Sequence, residues 1–294
     1  MPTRRSRYIL ACMSIRVLPP TNDWIFKLLF GDERNKSVLI DMLKSFVDLP
    51  DEEYELTFMD THVKREFRED KLGILDVKVR TKTGKVINIE IQVEPQDYIA
   101  KRLSFYKSKM IVEQIGKKES YERIQRVICV CITSKPLFLG AREYLNRFRF
   151  CNLENGLCFD EIPEEIYTLE LSKVPVADDG TDGWEWMRFL LARTKEEIEM
   201  LTTANPEIRK AADALYRLSE DPDVRAQYDM WEKAERDHIS RIDAAERKVH
   251  REWQGVVAIR DAVIANKDTE NERLRLENER LMAQIAGLQA KPGS

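Results

Sequence analysis

Leu75-Asp76-Val77-Lys78-Val79 and Ile87-Asn88-Ile89-Glu90-Ile91-Gln92-Val93 alternate apolar and polar side chains at a period of two, the pattern of paired β-strands. In the second stretch Ile87, Ile89, Ile91 and Val93 point one way, so Asn88, Glu90 and Gln92 point the other. The connection through Lys82-Thr83-Gly84 fits a three-residue loop, a type I turn followed by glycine in the left-handed conformation. That loop sets a register in which Asp76 lies opposite Glu90, with Cβ atoms about 5 Å apart.

Two carboxylates at that spacing repel each other, so the pair either binds a cation or lies in solvent. Magnesium suits oxygen donors and keeps several waters, which leaves room for a phosphate. Gln92 shares the face of Glu90 and can orient water or phosphate through hydrogen bonds, but it supplies no positive charge. The same alternation also describes the wet face of a half-exposed hairpin, and Glu-x-Gln on a strand is a weak pattern by itself.

Around this hairpin, residues 55–67, 72–81 and 85–93 read as three strands of an antiparallel meander. Upstream, Asn22 and Asp23 offer capping side chains before Trp24-Ile25-Phe26-Lys27-Leu28-Leu29-Phe30, and Gly31 ends that helix. Val38, Leu39, Met42, Leu43 and Phe46 form the apolar stripe of a second helix. Downstream, Asp97 caps a helix with Ile99, Leu103, Tyr106 and Met110 on its buried face and Gly116 at its end. Residues 126–133 are apolar on both faces, which predicts a central strand covered on each side. A helix over 140–148 and a strand over 166–171 complete an α/β domain.

Beyond residue 178 the chain turns helical. Asn205-Pro206 and Asp221-Pro222 each place a capping side chain before a proline at the first helical position. Leu274, Leu281 and Leu288 lie seven apart, with Ile264, Asn271, Asn278 and Ile285 in the alternate core positions of a heptad, although Lys267 occupies a core slot. Core asparagine favours a parallel dimer, while an exposed single helix accounts for the same run. The expected division is an N-terminal tail (1–19), a sheet domain (20–178), a helical region (181–255) and a coiled-coil helix (256–291).

The formal net charge of -4 announces no nucleic-acid partner, so a DNA-binding surface would have to be a local patch. Between Lys101 and Arg126 there are eight basic and three acidic residues, an excess that suits a DNA backbone, with Lys101, Lys107 and Lys109 as phosphate contacts. An ordinary solvated helix face carries much the same run. The five cysteines lack CxxC spacing, and two alternate within the central strand, which reads as reduced thiols in the cytoplasm. The apolar stretch 8–13 behind Arg4, Arg5 and Arg7 is too short for a signal core or a membrane span, and Met13 is an alternative start. His62, His238 and His250 do not cluster, and no HExxH, GxSxG or Walker loop occurs, so zinc-hydrolase, serine-hydrolase and nucleotide-driven chemistries lack support.

One wider pattern joins these features: Asn22-Asp23-x-x-Phe26-Lys27-x-x-Phe30-Gly31, then Asp76, Asn88-Ile89-Glu90-Ile91-Gln92, Arg102-x-x-x-Tyr106, and Tyr121 ahead of the central strand. In that order, over residues 21–171, the chain resembles the Rpn-type recombination-promoting nucleases and transposases, a branch of the PD-(D/E)XK nuclease superfamily. The resemblance implies a mixed sheet flanked by helices, a trailing helical region, and magnesium-dependent DNA cleavage, with manganese as a substitute ion. It also implies that Asp76 is the metal-binding aspartate, Glu90 the acidic residue of the D/E-x-K element, and Gln92 the occupant of the lysine place. The glutamine departs from the superfamily's lysine, although it is the usual residue in this branch. Asp23 at the first helix is an accessory acidic contact or a plain cap, and Arg102 and Tyr106, one turn apart, are candidates to face a phosphate, although Tyr106 falls on the apolar stripe and burial is the better reading of it. The expected function is a DNA endonuclease dimerised by its C-terminal helices so that both strands are cut. The alternative is a degenerate nuclease scaffold that binds DNA or assembles partners.

Overall fold

In a computed structural model that describes residues 16–61, 76–92, 97–159, 161–203 and 205–289, the molecule is organised around a strand buried along its whole length. This is β4 (Val127–Thr133), whose seven side chains are all buried. Apolar residues on both of its faces demand cover from two sides, and parallel neighbours supply the rest of the sheet. β3 (Val86–Gln92) and β6 (Glu164–Glu170) run parallel to it on either side. β2 (Val77–Arg80) and the short β1 (Thr57–Phe58) extend the β3 edge in antiparallel fashion, and β5 (Leu145–Phe148) closes the other edge. The order is β1-β2-β3-β4-β6-β5, a mixed sheet with the predicted meander at one side.

Helices cover both faces, as the α/β reading requires. α1 (Asp23–Phe30) packs on β3, with Ile25, Phe26, Leu29 and Phe30 buried. The Asn22 side chain accepts the Ile25 N–H at 3.1 Å, so Asn22 rather than Asp23 is the cap. Gly31 ends the helix, and a Cβ there would meet the Lys27 carbonyl oxygen at 2.6 Å, so no larger residue fits without displacing the last turn. α2 is Lys36–Lys44. On the opposite face, α3 (Ile99–Val112) lays Tyr106 and Met110 against Val86, Val127 and Cys129, and Ile99 and Leu103 against Cys131. It ends at Glu113, short of the predicted Gly116.

α4 (Asp182–Leu191), α5 (Lys195–Leu201) and α6 (Pro206–Glu220) belong to the same unit as the sheet, which extends to Arg225. Trp186, fully buried, meets Phe30 and Phe189 edge-on at 6.0 and 5.7 Å. Its indole N–H donates to Asp41 Oδ2 at 2.9 Å, and the same oxygen accepts Asn205 Nδ2 at 3.0 Å. One carboxylate thus ties α2, α4 and the cap of α6 together. The second unit, from Ala226 onward, is carried by α7 (Pro222–Gln289), a continuous helix of 68 residues.

Two local readings are corrected. Residues 145–148 form the edge strand β5 and not a helix, because pairing with β6 outweighs local preference. Cys129 and Cys131 are free and buried, as expected, but Cys151 and Cys158 are joined in a disulfide beyond β5. The basic leader, the strand segments 62–67 and 72–75, His62 and Val93 lie outside the described residues. Among the described residues no helix is long and apolar enough to cross a membrane.

Candidate functional site at the open end of the hairpin

The β2–β3 turn behaves as its sequence demands. Thr81 N–H donates to the Lys85 carbonyl at 2.9 Å and Gly84 N–H to the Thr81 carbonyl at 3.0 Å, with Gly84 at φ +98°. Below the turn, buried Glu53 accepts Thr81 Oγ1 at 2.6 Å, Thr83 Oγ1 at 2.7 Å and Lys85 Nζ at 2.5 Å. Burial alone would raise this carboxyl, but the lysine and the two hydroxyls outweigh it and hold it down to about 2. A fixed turn fixes the register: Val77 pairs with Ile89 and Lys78 with Asn88.

One residue ahead of β2, that register sets Asp76 level with Glu90. Asp76 Oδ2 accepts the Ile91 N–H at 2.8 Å. Burial pushes the Asp76 carboxyl up to about 7, the negative charges of Glu90 and Asp23 add to the rise, and the Ile91 N–H and the Lys27 ammonium oppose it. Glu90 is 1% exposed. Its Oε1 accepts Asn88 Nδ2 at 3.1 Å and its Oε2 lies 3.5 Å from Arg102 Nε. Asn88, equally buried, has an Oδ1 that meets no donor among the described residues. Gln92 ends β3 beside Thr133 of β4, half-buried.

Asp76, Glu90 and Gln92 therefore share one end of one hairpin. Asp23 is close enough for its charge to act on Asp76, while its own Oδ1 accepts the Trp24 N–H at 2.7 Å. Arg102 turns to Glu90 and stacks over the Tyr106 ring at 5.0 Å. Tyr106 itself is a core residue, 8% exposed, so its ring does not face a phosphate. Of the three lysines assigned to a DNA backbone, Lys101 is exposed and Lys109 lies over the Phe105 ring at 5.7 Å. Lys107 is withdrawn from that assignment, because it is buried and paired with Glu164 at 2.6 Å.

Two contributors escaped the sequence reading. Lys27 stands one helical turn after Asp23, donates to Thr61 Oγ1 at 3.1 Å, and is the cation whose charge opposes the rise at Asp76. Its i, i+4 spacing from Asp23 was the available signal. Asn88 holds a Glu90 oxygen, and its place on the Glu90 face was legible from alternation alone.

Among the described residues no group of three or more His, Cys, Asp or Glu side chains forms a metal cluster. The donors on offer are two carboxylates and the Gln92 amide, which suit a hard divalent ion that retains waters. A carboxyl raised by burial and by neighbouring negative charge is one whose ionised form such an ion would stabilise. The free thiols at Cys129 and Cys131 are pushed up to about 12 by burial and offer no nucleophile.

Residues 20–245 match the family model described as PD-(D/E)XK nuclease family transposase. Neither a curated protein nor a solved structure matches the chain. The family match spans well over half of the sequence and takes in the mixed sheet, its flanking helices and both hairpin carboxylates, so the chain belongs to the PD-(D/E)XK nuclease family transposases.

Proposed function

We propose that the open end of the β2–β3 hairpin is the catalytic centre of a magnesium-dependent DNA endonuclease. The observation that carries this reading is the Asp76 carboxyl, half-buried, set level with buried Glu90 and raised to about 7. Glu90 has Arg102 as countercharge, whereas Asp76 accepts a backbone N–H and stays raised, and in this family's scaffold a carboxyl left in that state supports a site kept for chemistry. Asp76 and Glu90 would hold the ion. When bound, it lowers the pKa of a water and stabilises charge on a phosphate.

The chain's own residues do the positioning. Asn88 restrains Glu90 so that one oxygen keeps its direction. Gln92 orients the attacking water or a phosphate oxygen through its amide. Lys27 supplies the positive charge that Gln92 lacks, reaching the site from α1 instead of from β3. Arg102 is the countercharge of Glu90 at 3.5 Å, and its guanidinium would turn to an incoming phosphate once an ion takes over Glu90. Lys101 contributes to backbone contact, and α7 pairs two copies of the chain.

A second reading, a degenerate scaffold that binds DNA without cutting it, is favoured by the same Arg102, which neutralises Glu90 internally where an ion would otherwise do so. Calorimetric titration with magnesium and manganese separates the two. The nuclease reading predicts binding that is lost in Glu90→Gln, whereas no binding by the parent chain supports the degenerate scaffold.

A further inference from the structure

α7 is about 100 Å long at 1.5 Å per residue and leaves a row of large apolar side chains in solvent. Ile239, Val249, Trp253, Val256, Ile264 and Leu274 are each between 45% and 64% exposed. On a helix of 3.6 residues per turn these residues, with Val257 and the polar Glu246, Arg260 and Lys267, fall in one stripe about 100° wide. The stripe begins well before the heptads at the C-terminal end. Its spacing is symmetric: counted outward from the bond between Val256 and Val257, the stripe positions recur at the same intervals in both directions.

We infer that this stripe is the contact between two copies of the chain running antiparallel, centred between Val256 and Val257. The inference rests on the reading that α7 pairs two copies, and it adds their direction and register. With that centre, Val256 faces Val257 of the second copy, Val249 faces Ile264, and Ile239 faces Leu274, so apolar meets apolar. Glu246 faces Lys267, which places opposite charges together at two symmetry-related points. Trp253 faces Arg260, a cation over the best aromatic acceptor, while the Arg260 guanidinium keeps its link to Asp261 at 3.0 Å. Between Ile239 and Leu274 only Ile242 against Asn271 is mismatched; beyond that span Leu281 faces Glu232.

A parallel pair in register does the reverse. Glu246 would face Glu246, Arg260 would face Arg260 and Lys267 would face Lys267, three like-charge layers within one seam. Paired asparagines at Asn271 and Asn278 favour the parallel direction, but two neutral polar layers weigh less than three repulsive ones. Charge complementarity therefore selects the antiparallel direction, and a second copy supplies it without any further partner.

The test is sedimentation equilibrium of the full chain and of Glu246→Lys, Lys267→Glu and the double variant, with helix content checked by circular dichroism. Antiparallel pairing predicts that each single change weakens the dimer on the order of tenfold, since an attraction becomes a repulsion twice per dimer, and that the double variant returns to within about threefold of the parent. A dimer indifferent to all three variants is parallel and overturns the inference. Weakening without rescue in the double variant overturns the register. A parent chain that stays monomeric removes the pairing itself, a failure distinct from a wrong direction.

Discussion

The two ends of one hairpin meet carboxylates in opposite states, a buried one at the turn and a half-buried one at the open end. At the turn, Glu53 is met by two hydroxyls and an ammonium and is held down to about 2. At the open end, Asp76 accepts the Ile91 backbone N–H, lies within reach of the charges of Glu90 and Asp23, and is raised to about 7. The length of one hairpin separates a carboxylate that stabilises the fold from one that the fold tolerates. Burial raises both carboxyls; at Glu53 the lysine and the hydroxyls outweigh it, whereas at Asp76 the neighbouring charges add to it. The satisfied end fixes the register that the unsatisfied end needs.

The largest effect that sharpens this contrast is at Asp76. Asp76→Asn is expected to reduce metal-dependent cleavage on the order of a thousandfold while raising stability in EDTA by about 1 kcal/mol, because a repelled carboxylate becomes a neutral amide of the same shape. Chemical denaturation beside a cleavage assay checks both, and a destabilised Asn variant would break the comparison. Next is Glu53→Gln, expected to cost about 2 kcal/mol through the lost charge-assisted bonds to Lys85 and the hydroxyls. Its pH signature follows from the direction of the shift. A carboxylate held below its ordinary value stabilises the fold above pH 4.5 and loses that contribution as pH falls through about 2. The gap between parent and variant should therefore close on acidification.

Lys27→Ala should lower the cleavage rate by about ten- to a hundredfold with the fold intact, and Lys27→Arg should recover part of the loss, since the role assigned is charge and not shape. The smallest effect concerns the α3 lysines. Lys101→Ala should weaken DNA binding slightly and reduce its salt dependence. Lys107→Ala should act instead on stability, because its charge is consumed by Glu164; equal effects of both on DNA affinity would contradict their different burial.

What could be read from the sequence follows the range of the interactions involved. The register of Asp76 against Glu90 was legible because it depends on a period of two and a three-residue turn, both local, and the central strand because an all-apolar run admits few surroundings. β5 was misread because its conformation comes from pairing with β6, a tertiary decision. Lys107 was misread because a charge run does not show which of its members turns inward to Glu164. Lys27 was overlooked because its relation to Asp76 joins a helix to a strand end some fifty residues away in sequence, a distance only the fold closes. The disulfide between Cys151 and Cys158 likewise depends on a chain reversal that no cysteine motif announced.

The central claim, that Asp76 and Glu90 form a working metal site, is tested most directly by incubating supercoiled plasmid with the purified chain in magnesium, manganese or EDTA, beside Asp76→Ala and Glu90→Ala variants shown to be folded by circular dichroism. A working site gives nicking with either metal, none in EDTA, and loss of nicking in both variants. Cleavage that survives in a folded Asp76→Ala variant, or DNA bound by the parent chain but never cut with any metal, would contradict it.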